Sequence, residues 1–189
     1  MIGLETDYIT GLDLERNTDL LSSHPEIDYV VGSVHHVHGV PIDFDRQNWL
    51  RAVRAANLGQ VETSIVVFPS DQPVLSSLNP DDPYLKPDYS PSVVELRPFL
   101  LAYFDAQYEL FTIHQPEIIG HFDLCLLWTP GISLQNPELE GVFKKVERNV
   151  RYVVGYGGLF EANSAALRKG WETSYPGREV LEVIVLVSC

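Results

Sequence analysis

Residues 28–45 read DYVVGSVHHVHGVPIDFD. The run Tyr29-Val30-Val31 is apolar and β-branched, the composition of a strand. Gly32-Ser33 follows, and then His35, His36 and His38, half of the chain's 6 histidines. Asp43 and Asp45 close the stretch. Asp45 stands where an N-cap belongs for an amphipathic helix over 46–57, whose stripe is Trp49, Leu50, Val53 and Ala56, with Gly59 just past its end. A strand that presents imidazoles at its C-terminal end and then turns into a helix is how α/β barrels assemble metal sites.

Working outward, IGLETDYI (2–9) alternates and predicts a strand. Glu5 lies in its middle, where a lone buried carboxylate is costly. Residues 17–23 predict one short helical turn, capped by Asn17 and ended by Pro25. Downstream, VETSIVVF (61–68) predicts a strand. Residues 69–91, with Pro69, Pro73, Pro80, Pro83, Pro87 and Pro91, predict a long loop. A helix runs to His114 from Ser92, which fits a capping box with Glu95, or from Pro98, which implies a kink or the later start. Its core-facing positions are Leu96, Leu100, Tyr103, Phe104, Gln107, Leu110 and Phe111. EIIGHFDLCLL (117–127) predicts a buried strand, 130–137 a loop, 138–149 a helix, 150–155 and 159–163 strands, and 165–170 a short helix. The last element, over 178–186, reads as a helix with an apolar tail that leaves strand open. DYVVG (28–32) is echoed by RYVVG (151–155), and Pro-Glu-Ile recurs at 25–27 and 116–118. The echo fits a repeated helix–strand unit in a parallel sheet buried on both faces.

At 189 residues with a 45% hydrophobic share, one domain with a sizeable core is expected. The net charge of -13 argues against nucleic acid as a partner, because phosphates would be repelled. A small phosphorylated substrate stays open, since a metal cluster inverts the local field. No apolar run reaches the ~18 residues of a membrane span, and the N-terminus lacks the basic region of a signal peptide. Cys125 and Cys189 make no disulfide framework, so a reduced, cytoplasmic protein is expected.

Several residues could carry chemistry, and each has a plainer reading. Strand alternation puts His35 and His36 on opposite faces, and His38 falls in a turn beside Gly39. Any one of them alone reads as a satisfied structural histidine. Clustered beside carboxylates, they read as ligands. His121 interrupts an apolar run, and strand alternation puts Asp123 on the same face two residues on, so the two form either a buried structural pair or a ligand with a carboxylate behind it. Ser164 can cap the helix at 165–170, and Arg168 with Lys169 is either a solvated helix end or a phosphate clamp. No phosphate-binding P-loop, dinucleotide fingerprint or nucleophile elbow occurs.

The motifs GLETDYI (3–9), 28–45, EIIGHFDL (117–124) and VGYGGLFEANSAALRKGWETSYPGREVL (154–181) together resemble the histidinol-phosphatase branch of the PHP (polymerase and histidinol phosphatase) family, in its fungal form. The resemblance covers most of the chain apart from the proline-rich loop. It implies an α/β fold, a distorted (β/α)7 barrel similar to a TIM barrel, with a divalent metal cluster of Zn, Mn or Fe at the C-terminal ends of the strands. It implies Glu5, His35 and His121 as metal ligands and Arg168 as a phosphate contact. His36, His38, Asp45 and Asp123 would lie behind the ligands or against the substrate. The implied activity is that of a phosphoric monoester hydrolase, which converts L-histidinol phosphate to L-histidinol and phosphate in histidine biosynthesis. The metals would activate water for in-line attack on phosphorus.

The family pattern also has a His-x-His strand before the Gly-x-Glu motif and an Asp-x-His strand after the segment matching YPGREVLEVI (175–184). Neither is found in this chain. The expectation is therefore a single partial barrel domain over 1–189, truncated at both ends. It is either the phosphatase or a catalytically inactive fragment without a complete metal site. The oligomeric state stays open.

Overall fold

Strand β1 (Gly3–Asp7) and strand β2 (Tyr29–Ser33) pair in parallel, Glu5 opposite Val31 and Asp7 opposite Ser33. A computed structural model describes residues 1–59, 82–86 and 88–188 of the chain. Between the two strands lies helix α1 (Gly11–Ser23). It is longer than the single turn expected at 17–23 and starts elsewhere. Thr10, not Asn17, is the N-cap, and Asp13 closes a capping box on it. The reason is local: a Thr-x-x-Asp pair satisfies two orphan amides at once.

The antiparallel pair β3 (His36–Val37) and β4 (Val40–Pro41) turns over His38 and Gly39. Helix α2 (Arg46–Leu58) follows, capped as expected by Asp45, which accepts from the Asn48 amide. The strand expected at 61–68 lies outside the described residues, as does most of the 69–91 loop. The described part of that loop makes a short 3-10 turn at Pro83–Leu85, and an Arg54–Asp82 ion pair ties it to α2.

Helix α3 (Val93–His114) starts at the Ser92–Glu95 capping box and runs through Pro98, giving up one backbone hydrogen bond. Every position expected to face the core is buried, and Phe99 joins them. The helix packs on α2 and on α4 (Val142–Tyr156).

The strand expected over 117–127 is short. It forms only β5 (Ile118–Ile119), which pairs in parallel with β2. Gly120 ends it. A Cβ there would stand 2.4 Å from Ser33 Oγ, so any larger residue crossing the end of β2 would push that hydroxyl out of place. Residues 124–126 then coil into a 3-10 turn. The alternation argument that put His121 and Asp123 on one strand face therefore does not hold.

A second correction falls on 150–155. The segment is the last half of α4, not a strand, because Val142, Val146, Val150 and Val153 recur at helical spacing and are all fully buried. The echoed YVVG is thus strand in β2 and helix in α4. Strand β6 (Leu159–Phe160) pairs with β5 in parallel, and Asn163 bridges to Tyr175. Helices α5 (Ala165–Arg168) and α6 (Arg178–Ser188) complete the order, the second settling the apolar tail as helix.

The result is a mixed α/β fold with an all-parallel sheet in the order β1-β2-β5-β6. The expected barrel is not formed among the described residues, where the sheet is open at β1 and β6. No helix there is long and apolar enough to cross a membrane.

Candidate metal centre

The C-terminal ends of β1, β2 and β5 deliver three side chains to one point. Glu5 comes from β1, His35 from just beyond β2 and His121 from just beyond β5. His35 Nε2 lies 3.1 Å from His121 Nε2, and His121 Nε2 lies 3.7 Å from Glu5 Oε1. One ligating atom from each residue falls within 4.8 Å of the others.

Three further contacts hold these side chains. Ser33 Oγ donates to Glu5 Oε1 at 2.7 Å. Asp7 Oδ1 accepts the His35 backbone N–H at 3.0 Å, and Glu161 Oε2 accepts the His121 backbone N–H at 3.0 Å. Beside His121, the carbonyl of Phe122 accepts from Tyr103 Oη at 3.2 Å and from Gln107 Nε2 at 2.8 Å. Asn149, fully buried on α4, donates to Gln107 Oε1 and to the Phe104 carbonyl. The turn that carries His121 is thereby bolted to α3.

The electrostatics follow from these contacts. The His121 ring holds the Glu5 carboxyl down at about 2 against the opposing effect of partial burial, with help from Ser33 and His35. Burial pushes Asp7 up, but the His35 and His36 rings outweigh it and hold it at about 2. Burial disfavours the His35 cation, and Asp7 more than compensates, so its pKa is raised. Both carboxylates are therefore charged and ready to act as ligands or orienting groups over the neutral range.

The residues fit a divalent cation. Ligand atoms about 2.1 Å from a shared ion stand roughly 3.0–3.5 Å from one another; the two imidazole nitrogens, 3.1 Å apart, are spaced in that way, and the Glu5 oxygen, 3.7 Å from His121 Nε2, stands slightly farther out. Two ring nitrogens meeting at hydrogen-bond distance also need either a proton or a cation between them. His121 Nδ1, on the far side of its ring, is buried without a hydrogen-bond partner among the described residues. Nitrogen and carboxylate donors without thiolate suit Zn, Mn or Fe.

The remaining expected site residues divide. His36 does not face away from His35: its Nδ1 binds the other oxygen of Asp7 at 3.0 Å, because the chain leaves β2 before it and β3 begins there. His38 has a left-handed backbone and lines a separate cavity of about 420 Å³ with Tyr8, Ala102 and Glu109. Asp45 serves as the α2 cap, bonded to Asn48 through both oxygens. Asp123 is only 2% exposed, and its Oδ2 accepts from the Gly177 amide at 2.7 Å. Burial raises its carboxyl to about 6. Arg168 is exposed in the last turn of α5, and Ser164 makes no side-chain cap, that place being taken by Asn163 Oδ1 on the Ala165 amide.

No protein-family model matches the chain. Two curated fungal proteins do. A protein of Schizosaccharomyces pombe described as "Probable histidinol-phosphatase" is 33% identical, over 98% of this chain and 49% of its own length. The "Histidinol-phosphatase" of Saccharomyces cerevisiae is 28% identical, over 97% of this chain and 50% of its own length. The chain is similar to these two fungal proteins over nearly its whole length. It spans about half the length of the relatives it matches.

The residues that the sequence pattern missed are instructive. Asp7 stands two residues after Glu5 in β1 and so shares its face, a signal that alternation alone offers. Glu161 is an acid directly after an apolar strand, as Glu5 is an acid inside one. Ser33, Tyr103 and Gln107 carry no such signal, because their roles depend on which elements pack together.

Proposed function

We propose that the chain supplies ligands to the metal centre of a histidinol-phosphatase, hydrolysing L-histidinol phosphate to L-histidinol and phosphate in histidine biosynthesis. The observation that carries this reading is the convergence of Glu5, His35 and His121. The likeness to two fungal histidinol-phosphatases supports it. On this reading the parallel sheet is an arc of a distorted (β/α)7 barrel, residues 1–189 belong to one domain, and the protein works in the cytoplasm.

A divalent cation held here would supply Lewis-acid stabilisation of phosphoryl charge and acidify water. The chain's own residues do the rest. Glu5 stays ionised throughout the working range, and His35 and His121 turn nitrogen lone pairs to the same point. Arg168 serves as the guanidinium for phosphoryl oxygens, the planar fork being suited to that geometry.

The test is to purify the chain, quantify bound Mn, Fe and Zn, and follow phosphate release from L-histidinol phosphate. At least one ion per chain with turnover is expected. Less than one ion per chain together with no turnover overturns the reading. Metal uptake without turnover would leave only a metal-binding segment.

A further inference from the structure

Asp7 ends β1, and its register partner Ser33 ends β2, so the Asp7 carboxylate stands where the chain leaves β2 toward His35. Its Oδ1 accepts the His35 amide at 3.0 Å and lies 3.4 Å from His35 Nδ1, while Oδ2 lies 3.0 Å from His36 Nδ1. The opposite nitrogen of the His35 ring, Nε2, is the one that faces His121.

A neutral imidazole carries its proton on one nitrogen only, and an ionised carboxylate can only accept. With a carboxylate against Nδ1, the proton belongs on Nδ1 and the lone pair on Nε2. We propose that Asp7 is a positioning residue that fixes His35 as the Nδ1–H tautomer and aims its Nε2 lone pair at the point shared with His121 and Glu5. A single acid thereby sets both the backbone and the ring of one ligand, and the ligand need not reorganise when an ion arrives. The inference rests on the metal reading above for its purpose, though not for its geometry.

The tautomer is read by ¹⁵N-resolved NMR of the imidazoles in chelator-treated chain at about pH 9, where imidazoles are neutral. The wild type is expected to show His35 protonated at Nδ1. Asp7→Ala is expected to release that preference and to weaken Zn²⁺ binding, measured by titration, about 10-fold or more. Asp7→Asn keeps an oxygen acceptor and is expected to retain the tautomer and most of the affinity. His35 protonated at Nε2 in the wild type overturns the proposal, and that spectrum decides even where Asp7→Ala does not fold. So does an Asp7→Ala chain that loses thermal stability yet keeps the wild-type tautomer and Zn²⁺ affinity, which is the mark of a purely structural acid. Because the tautomer is read on metal-free protein, a chain that takes up no metal unseats the functional reading without touching this one.

Discussion

Glu161 and His121 are joined across two strands: a carboxylate oxygen after β6 accepts the backbone amide after β5 at 3.0 Å. The same oxygen also accepts from Asn163 Nδ2. Glu161→Ala is therefore expected to lower metal affinity about 10- to 100-fold, the usual cost of losing a group that orients a ligand. Glu161→Gln keeps an acceptor and should fall only a few-fold. Titration of both variants with Zn²⁺ checks the contrast, and equal losses would show that charge rather than orientation matters.

Asn149 is fully buried and joins α4 to α3 through the Phe104 carbonyl and Gln107. Asn149→Ala leaves Gln107 Oε1 without its donor in the interior, while the Phe104 carbonyl keeps Arg148 Nη2, and should destabilise the fold by about 2 kcal/mol. Urea unfolding measures it. A loss well under 1 kcal/mol would mean that the network is dispensable.

Asp45 separates cap from ligand. Asp45→Ala should cost about 1 kcal/mol of stability through the lost bond to the Asn48 amide. It should leave metal uptake unchanged. A metal deficit in this variant would return Asp45 to the site.

Tyr89, followed by Ser92 and Tyr84, holds the Glu95 carboxyl at about 2, below its ordinary 4.5. A carboxyl depressed on folding adds stability that is complete above the unfolded value and is lost as pH falls from 4.5 through about 2. Glu95→Gln should thus lower the melting temperature near neutrality, and the gap from wild type should narrow on acidification over that window. A gap that does not change with pH would place the effect in packing.

Asp123 runs the other way. Burial raises its carboxyl from 3.8 to about 6. The folded state favours the protonated acid, so its contribution is present below 3.8 and is lost as pH rises through about 6. In chelator-treated protein, wild type should lose melting temperature relative to Asp123→Asn across that interval. Parallel curves would show that the Gly177 amide already balances the charge.

Much of the centre was legible because its signals are local. Glu5 and His121 each interrupt an apolar run, and the Asp45 and Ser92 caps announce the helices they begin. What could not be read depends on tertiary context. Tyr-Val-Val-Gly forms a strand beside β1 and a helix against α3, because a valine-rich run satisfies both patterns and only the partner decides. His36 turned toward the Asp7 that also holds His35 because β2 ends at Ser33 and a new strand begins at His36, so alternation does not carry across. Asp7 and Glu161 act across strands, so their roles depended on sheet order, which no single segment contains.

The three ligands differ in access. The Glu5 side chain is 55% exposed and the His121 side chain 12%. For any ion held between them, water and chelators would reach the Glu5 side first, and that carboxylate would be the more readily displaced holder. Substitutions near β1 should then change how fast an ion comes and goes, and those near β5 how tightly it stays. The residence time and the equilibrium constant of one centre would be governed from opposite walls.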